Sequence, residues 1–200
     1  MMKAHTTSLL ASLALAGSVF AGETVTTTGK DYKQPAAVAP TGCFSDHEFQ
    51  IDTFAQASFG SNDKIGLFRD TAVGGGIGLN YFFHRNIGIG VEAAWLSAKE
   101  STLGGNESAD RTVLHNAGGS LIFRLPIDSA CLAPYAYVGG GYHGDGYNWA
   151  SGHAGVGIEY RVVPNKVGIF VDGRWTYLGD RLEQSDLNFF SARAGIRLVF

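Results

Sequence analysis

The sequence predicts an all-β chain folded as an eight-stranded antiparallel transmembrane up-and-down β-barrel, and three observations predict it. Apolar side chains recur at every second position through eight runs between Glu48 and Phe200, the period of a strand. The charges within those runs fall almost wholly on the face opposite the apolar one. The connections between runs alternate in length, short on one side and mostly longer and more polar on the other, as in a membrane-crossing meander.

Composition narrows the class. Only 16% of the 200 residues are charged and 28 are Gly, against about 25% charged and about 7% Gly in an average soluble domain. A net charge of −3 offers no basic face to phosphate, so no nucleic-acid partner is expected.

The elements follow in order. Residues 1–21, MMKAHTTSLLASLALAGSVFA, join Lys3 to an apolar run from Leu9 to Phe20, with Val19 and Ala21 before a cut. That is the layout of a secretory signal peptide, and the run is shorter than the ~20 residues a spanning helix needs. Residues 22–47, rich in Thr, Ala and Pro, have no sustained period and read as a periplasmic linker or plug segment. Residues 48–200 form the barrel.

Strand one, from Glu48, sets Phe49, Ile51, Thr53, Ala55, Ala57 and Phe59 against Gln50, Asp52, Phe54, Gln56 and Ser58. Strand two groups Val73, Ile77, Leu79, Tyr81 and Phe83, and strand three groups Ile87, Ile89, Val91, Ala93 and Trp95, with Glu92 opposite. Strand four sets Val113, Leu121 and Phe123 against Asn116, Ser120 and Arg124. Strand five is less regular, and its reading puts Tyr135 and Tyr137 outward and Val138 inward. Strand six sets Ala154, Val156, Ile158 and Tyr160 against His153, Glu159 and Arg161. Strand seven sets Val167, Ile169, Val171, Trp175 and Tyr177 against Asp172 and Arg174, and strand eight runs from about Asn188 to Phe200, carrying Arg193 and Arg197.

Charge decides which face is inside. An arginine facing mid-bilayer costs about 2 to 4 kcal/mol, so Asp52, Glu92, Glu159, Asp172, Arg124, Arg161, Arg174, Arg193 and Arg197 belong in the lumen. A narrow lumen holds them only as a paired network, which would plug the barrel. Asp172 and Arg174 are expected beside Arg193, with strand eight closing against strand one at Asp52. Aromatic residues, Phe49, Tyr81, Phe83, Phe123, Tyr135, Tyr160 and Phe200 at one end and Phe59, Trp95, Trp175 and Tyr177 at the other, suggest two interfacial belts.

With these runs in view, residues 48–200 resemble the OmpA-like outer-membrane β-barrel family, through AVGGGIGLNYFF, PYAYVGGGY and the closing AGIRLVF. The resemblance implies an outer-membrane protein with a structural or surface-interaction role, not an enzyme, without a cofactor. It implies outer-membrane lipids as partners, and the barrel assembly machinery reading Phe200, Leu198 and Ile196. The segment 22–47 and the C-terminus would lie in the periplasm and the long loops outside the cell. The family's larger members append a peptidoglycan-binding domain that this sequence is not expected to have. A lipid-modifying enzyme and a narrow gated pore are the alternatives.

Smaller signals complete the reading. Cys43, just before strand one, and Cys131, in a short turn, share an oxidising side of the membrane. Five residues reach ~16 to 18 Å across the mouth, so a Cys43 to Cys131 disulfide is expected. The GGGYHG run at 139–144 matches a dinucleotide-binding spacing but lacks a following helical pattern. Ser151, His153 and Glu159 share one strand face and invite a hydrolase reading, although that face points inward. The loop charges Lys64, Arg69, Lys99, Glu100, Glu107, Asp145, Arg181 and Glu183 name no partner.

Overall fold

The computed structural model describes residues 42–60, 71–101, 107–144, 148–179 and 187–200. Residues 1–21, most of 22–47, and the loop residues Lys64, Arg69, Asp145, Arg181 and Glu183 lie outside the described residues. Eight strands follow in chain order: β1 (Glu48–Gly60), β2 (Ala72–His84), β3 (Ile87–Ser101), β4 (Glu107–Arg124), β5 (Leu132–Gly144), β6 (Asn148–Val163), β7 (Val167–Leu178) and β8 (Leu187–Val199). Each pairs antiparallel with the next, and β8 closes on β1. Closure is completed where Phe200 and Phe49 exchange backbone hydrogen bonds of 2.9 and 3.1 Å.

The barrel is inverted relative to a water-soluble one. Val91, Val138 and Val156 are 58%, 58% and 67% exposed, while Arg124 and Glu159 are fully buried. Large apolar side chains are exposed on all eight strands, where a soluble monomer scatters them singly or in small patches. The closed ladder leaves no strand edge, which is what lipid demands of a β-structure. The chain is an all-β, eight-stranded antiparallel transmembrane up-and-down barrel.

Two readings are corrected. Tyr135 and Tyr137 point inward, 7% and 6% exposed, and Val138 points outward. The opposing β6 residues explain it, because Gly157 faces Tyr135 and Gly155 faces Tyr137 in the register. A β-carbon on Gly157 would sit 2.7 Å from the Tyr135 ring, and one on Gly155 2.4 Å from that of Tyr137. The rings therefore occupy lumen space that the missing side chains leave. The second correction concerns the β3–β4 connection, where the ladder continues through Lys99↔Arg111 to Ser101↔Glu107. Lys99, Glu100 and Glu107 are thus strand residues, not loop residues.

Candidate functional site

The strand period brings Glu48, Asp52, Glu92, Glu159 and Asp172 into one lumen with Arg124, Arg161, Arg174, Arg193 and Arg197, in stacked layers. Nearest the short turns, Glu48 accepts from Arg124 Nη1 at 2.9 Å and from Arg161 and Gln50. Glu159 lies 2.5 Å from Arg161 Nε as an ion pair without hydrogen-bond alignment. It also accepts from Arg197 Nη1 at 2.6 Å, which joins this layer to the next.

In the second layer Arg197 grips Asp52 with two parallel bonds of 2.7 and 2.6 Å, and Asn80 Nδ2 donates to the same carboxylate at 2.8 Å. The bidentate fork fixes both groups, since a planar guanidinium matches a carboxylate edge to edge. These two residues face each other across the β1–β8 seam.

The third layer centres on Asp172. Arg193, its cross-strand neighbour, donates to it at 2.7 and 2.8 Å, and the Tyr135 and Tyr137 hydroxyls donate at 2.8 and 3.0 Å. Four donors match the lone-pair capacity of a carboxylate. Glu92 bridges Arg193, at 2.8 Å, to Arg174, which holds it bidentately. Rings flank the cations: Arg193 lies 5.0 Å from the Phe54 centroid, and Arg197 4.8 Å from that of Phe170. A cavity of about 40 Å³ remains beside these layers, lined by residues including Asp52, Asn80, Glu92 and Tyr135. That is space for a water or two, at ~30 Å³ per molecule.

Above the charges lie neutral polar groups. Gln56, Ser58 and Ser191 form a hydrogen-bonded trio, His153 pairs with Ser120 at 2.8 Å, and His143 pairs with Asn116 at 2.6 Å. The hydrolase spacing is not assembled: His153 bonds Ser120, Glu159 bonds Arg197, and the buried Ser151 hydroxyl has no hydrogen-bond partner. The 139–144 glycines lie within β5, paired to β4 and β6, without the helix N-terminus a dinucleotide phosphate would need.

The short-turn end is covalently tied. Cys43 and Cys131 form a disulfide with their α-carbons 5.3 Å apart, within the usual range. Cys131 follows a short 3₁₀ turn, Asp128–Ala130. Asp128 accepts from the Cys43 amide at 3.1 Å and from Arg85 Nη2 at 2.5 Å. The bond from Arg85 holds the Asp128 carboxyl below its ordinary pKa of 3.8.

Three inward groups went unread in the sequence. Glu48 shares the parity of Asp52 but sits first in its strand, where a carboxylate ordinarily faces water. Its burial makes the lumen count five acids to five arginines among the described residues. Tyr135 and Tyr137 belong to a strand without a charged residue to mark its inner face.

No protein-family model matches the chain, and no curated protein matches it. Among solved structures it is similar to Neisserial surface protein A, with 16% identity, 76% of this chain and 95% of that one covered, and a TM-score of 0.50. It is also similar to the outer membrane protein OprG from Pseudomonas aeruginosa, with 13% identity, 80% and 98% coverage, and a TM-score of 0.53. At this identity the likeness is one of fold, and the fold is that of the eight-stranded outer-membrane barrels.

Proposed function

We propose that this chain is an outer-membrane barrel with a structural or surface-interaction role, its lumen closed by paired charges and its long loops offered for binding. The carrying observation is the lumen itself. Five carboxylates and five guanidiniums are engaged with one another, and the cavity beside them holds about 40 Å³. A conducting path would have to break several of these pairs at once, each at a cost of several kcal/mol. Closed strands in lipid then serve as a rigid frame for the loops.

In this reading residues 1–21 direct export, and the short-turn side, with residues 22–47, faces the periplasm. Outer-membrane lipids cover the apolar band. The alternating Ile196, Leu198 and Phe200, 53%, 42% and 70% exposed, form the outward face that the assembly machinery reads.

The test is electrical and electrophoretic. Purified protein is expected to migrate differently before and after heating in detergent, and to insert into planar bilayers without steady single-channel current. A steady current through the wild-type chain would overturn the closed-lumen reading. Equal mobility before and after heating would overturn the membrane barrel.

A further inference from the structure

Residues 42–47 are held by all three short turns. Gly42 O accepts from Asn165 Nδ2 at 2.8 Å, in the β6–β7 turn. The Cys43 amide donates to Asp128 at 3.1 Å, and the Cys43 sulfur is bonded to Cys131, both in the β4–β5 turn. Asp46 Oδ1 accepts from the Arg85 amide at 2.6 Å, in the β2–β3 turn. The segment therefore crosses the mouth as a strap, and the Ser45 amide ties it back to Glu48 at 3.3 Å.

Phe44 sits at the strap's centre, 4% exposed. The Arg124 and Arg161 guanidinium carbons lie 4.8 and 4.9 Å from its ring centroid. The ring packs with Cys43 and Ala133 on its other contacts. A phenyl ring offers these cations a π-face and denies them water. Arg124 Nη2 and Arg161 Nη1 are buried without a hydrogen-bond partner, so water admitted here would find donors waiting.

We propose that residues 42–47 are a redox-latched strap, with Phe44 as the stopper of the short-turn mouth and the Cys43–Cys131 disulfide as the latch. A dithiol reductant releases it. One thiolate attacks a sulfur of the pair, the S–S bond breaks and a mixed disulfide forms. The second thiol then displaces it. Two electrons and two protons pass to Cys43 and Cys131, leaving two thiols, while the reductant becomes a disulfide. The strap is then left on hydrogen bonds for which water competes. Phe44 swings out and water reaches Glu48, Arg124 and Arg161, while the Asp172 and Glu92 layer stays shut. The latch opens an antechamber, not a pore.

The experiment uses the full folded chain in detergent micelles, oxidised or treated with dithiothreitol. Backbone amides at 43–45 are expected to exchange hydrogen at least about tenfold faster after reduction, with β7 amides unchanged, the mark of local opening. Equal rates in the two redox states would overturn the latch. Loss of the heat-sensitive gel shift on reduction would overturn it too, because the disulfide would then hold the wall and not the strap. In the oxidised protein Phe44→Ala is expected to speed exchange of the Arg124 and Arg161 side-chain N–H groups at least about tenfold, leaving those of Arg193 unchanged. Unchanged Arg124 and Arg161 exchange would overturn the stopper.

Discussion

Glu48 balances a lumen that would otherwise hold an uncompensated arginine. It is 1% exposed and touches both Arg124 and Arg161. Removing one member of a buried pair leaves its partner charged and dry, at a cost of about 3 to 5 kcal/mol. Glu48→Gln is therefore expected to lower stability by that amount, read as the urea midpoint of unfolding in micelles. Asp128 offers a contrast, being partly exposed at the mouth. Its carboxyl is held below 3.8 chiefly by the hydrogen bond from Arg85. Because the folded state there binds fewer protons than the unfolded one, this contribution is present above pH 3.8 and fades as pH falls through the lowered value. Protection of the Cys43 amide, its exchange rate referred to the intrinsic rate at the same pH, is expected to fall with acidification in that window, and Asp128→Asn to remove the dependence. At this scale the sequence was legible wherever a charge marked a face, as at Asp172 and Arg193. Tyr135, Tyr137 and Glu48 were not, because an aromatic suits lipid or lumen equally and a first-residue carboxylate suits water.

Among the strands, β7 was read to its ends, Val167–Leu178, since Asp172 and Arg174 alternate with five apolar positions and polar turns bound it. β3 and β4 run further than their apolar pattern, because the ladder extends past the apolar band into polar sequence where backbone pairing no longer depends on side-chain hydrophobicity. The β5–β6 pair is fixed by shape. Gly157 faces Tyr135, and a β-carbon there would lie 2.5 Å from the Asp172 β-carbon. Gly157→Val is expected to expel the Tyr135 ring and cost about 1 to 3 kcal/mol as overpacking. The measurement is the temperature at which the unheated gel form is lost, with Val156→Ala, on the outward face, as the control that keeps it.

The whole barrel was legible because its two faces carry opposite chemistry over the full perimeter, so one parity error on β5 did not disturb the closure. Strand order, closure and the Cys43–Cys131 tie follow from local sequence. The layering of the lumen does not, since it depends on which carboxylate each guanidinium reaches across the interior. Glu159 shows this, bridging Arg161 on its own strand to Arg197 on β8. No two-residue period encodes that choice.

The β1–β8 seam has a consequence for how the chain comes together. Arg193 and Arg197 arrive on the last strand, and their partners Asp52, Glu92, Glu159 and Asp172 wait on strands one, three, six and seven. Until that strand docks, both guanidiniums lack their carboxylates and Asp52 and Asp172 lack their cations in the membrane interior, at several kcal/mol per ion. Glu92 and Glu159 are already held by Arg174 and Arg161. A sheet that stops short of joining, or joins one residue out of register, turns the arginines to lipid. Docking of the final strand thus favours the register that pairs Arg193 with Asp172 and Arg197 with Asp52.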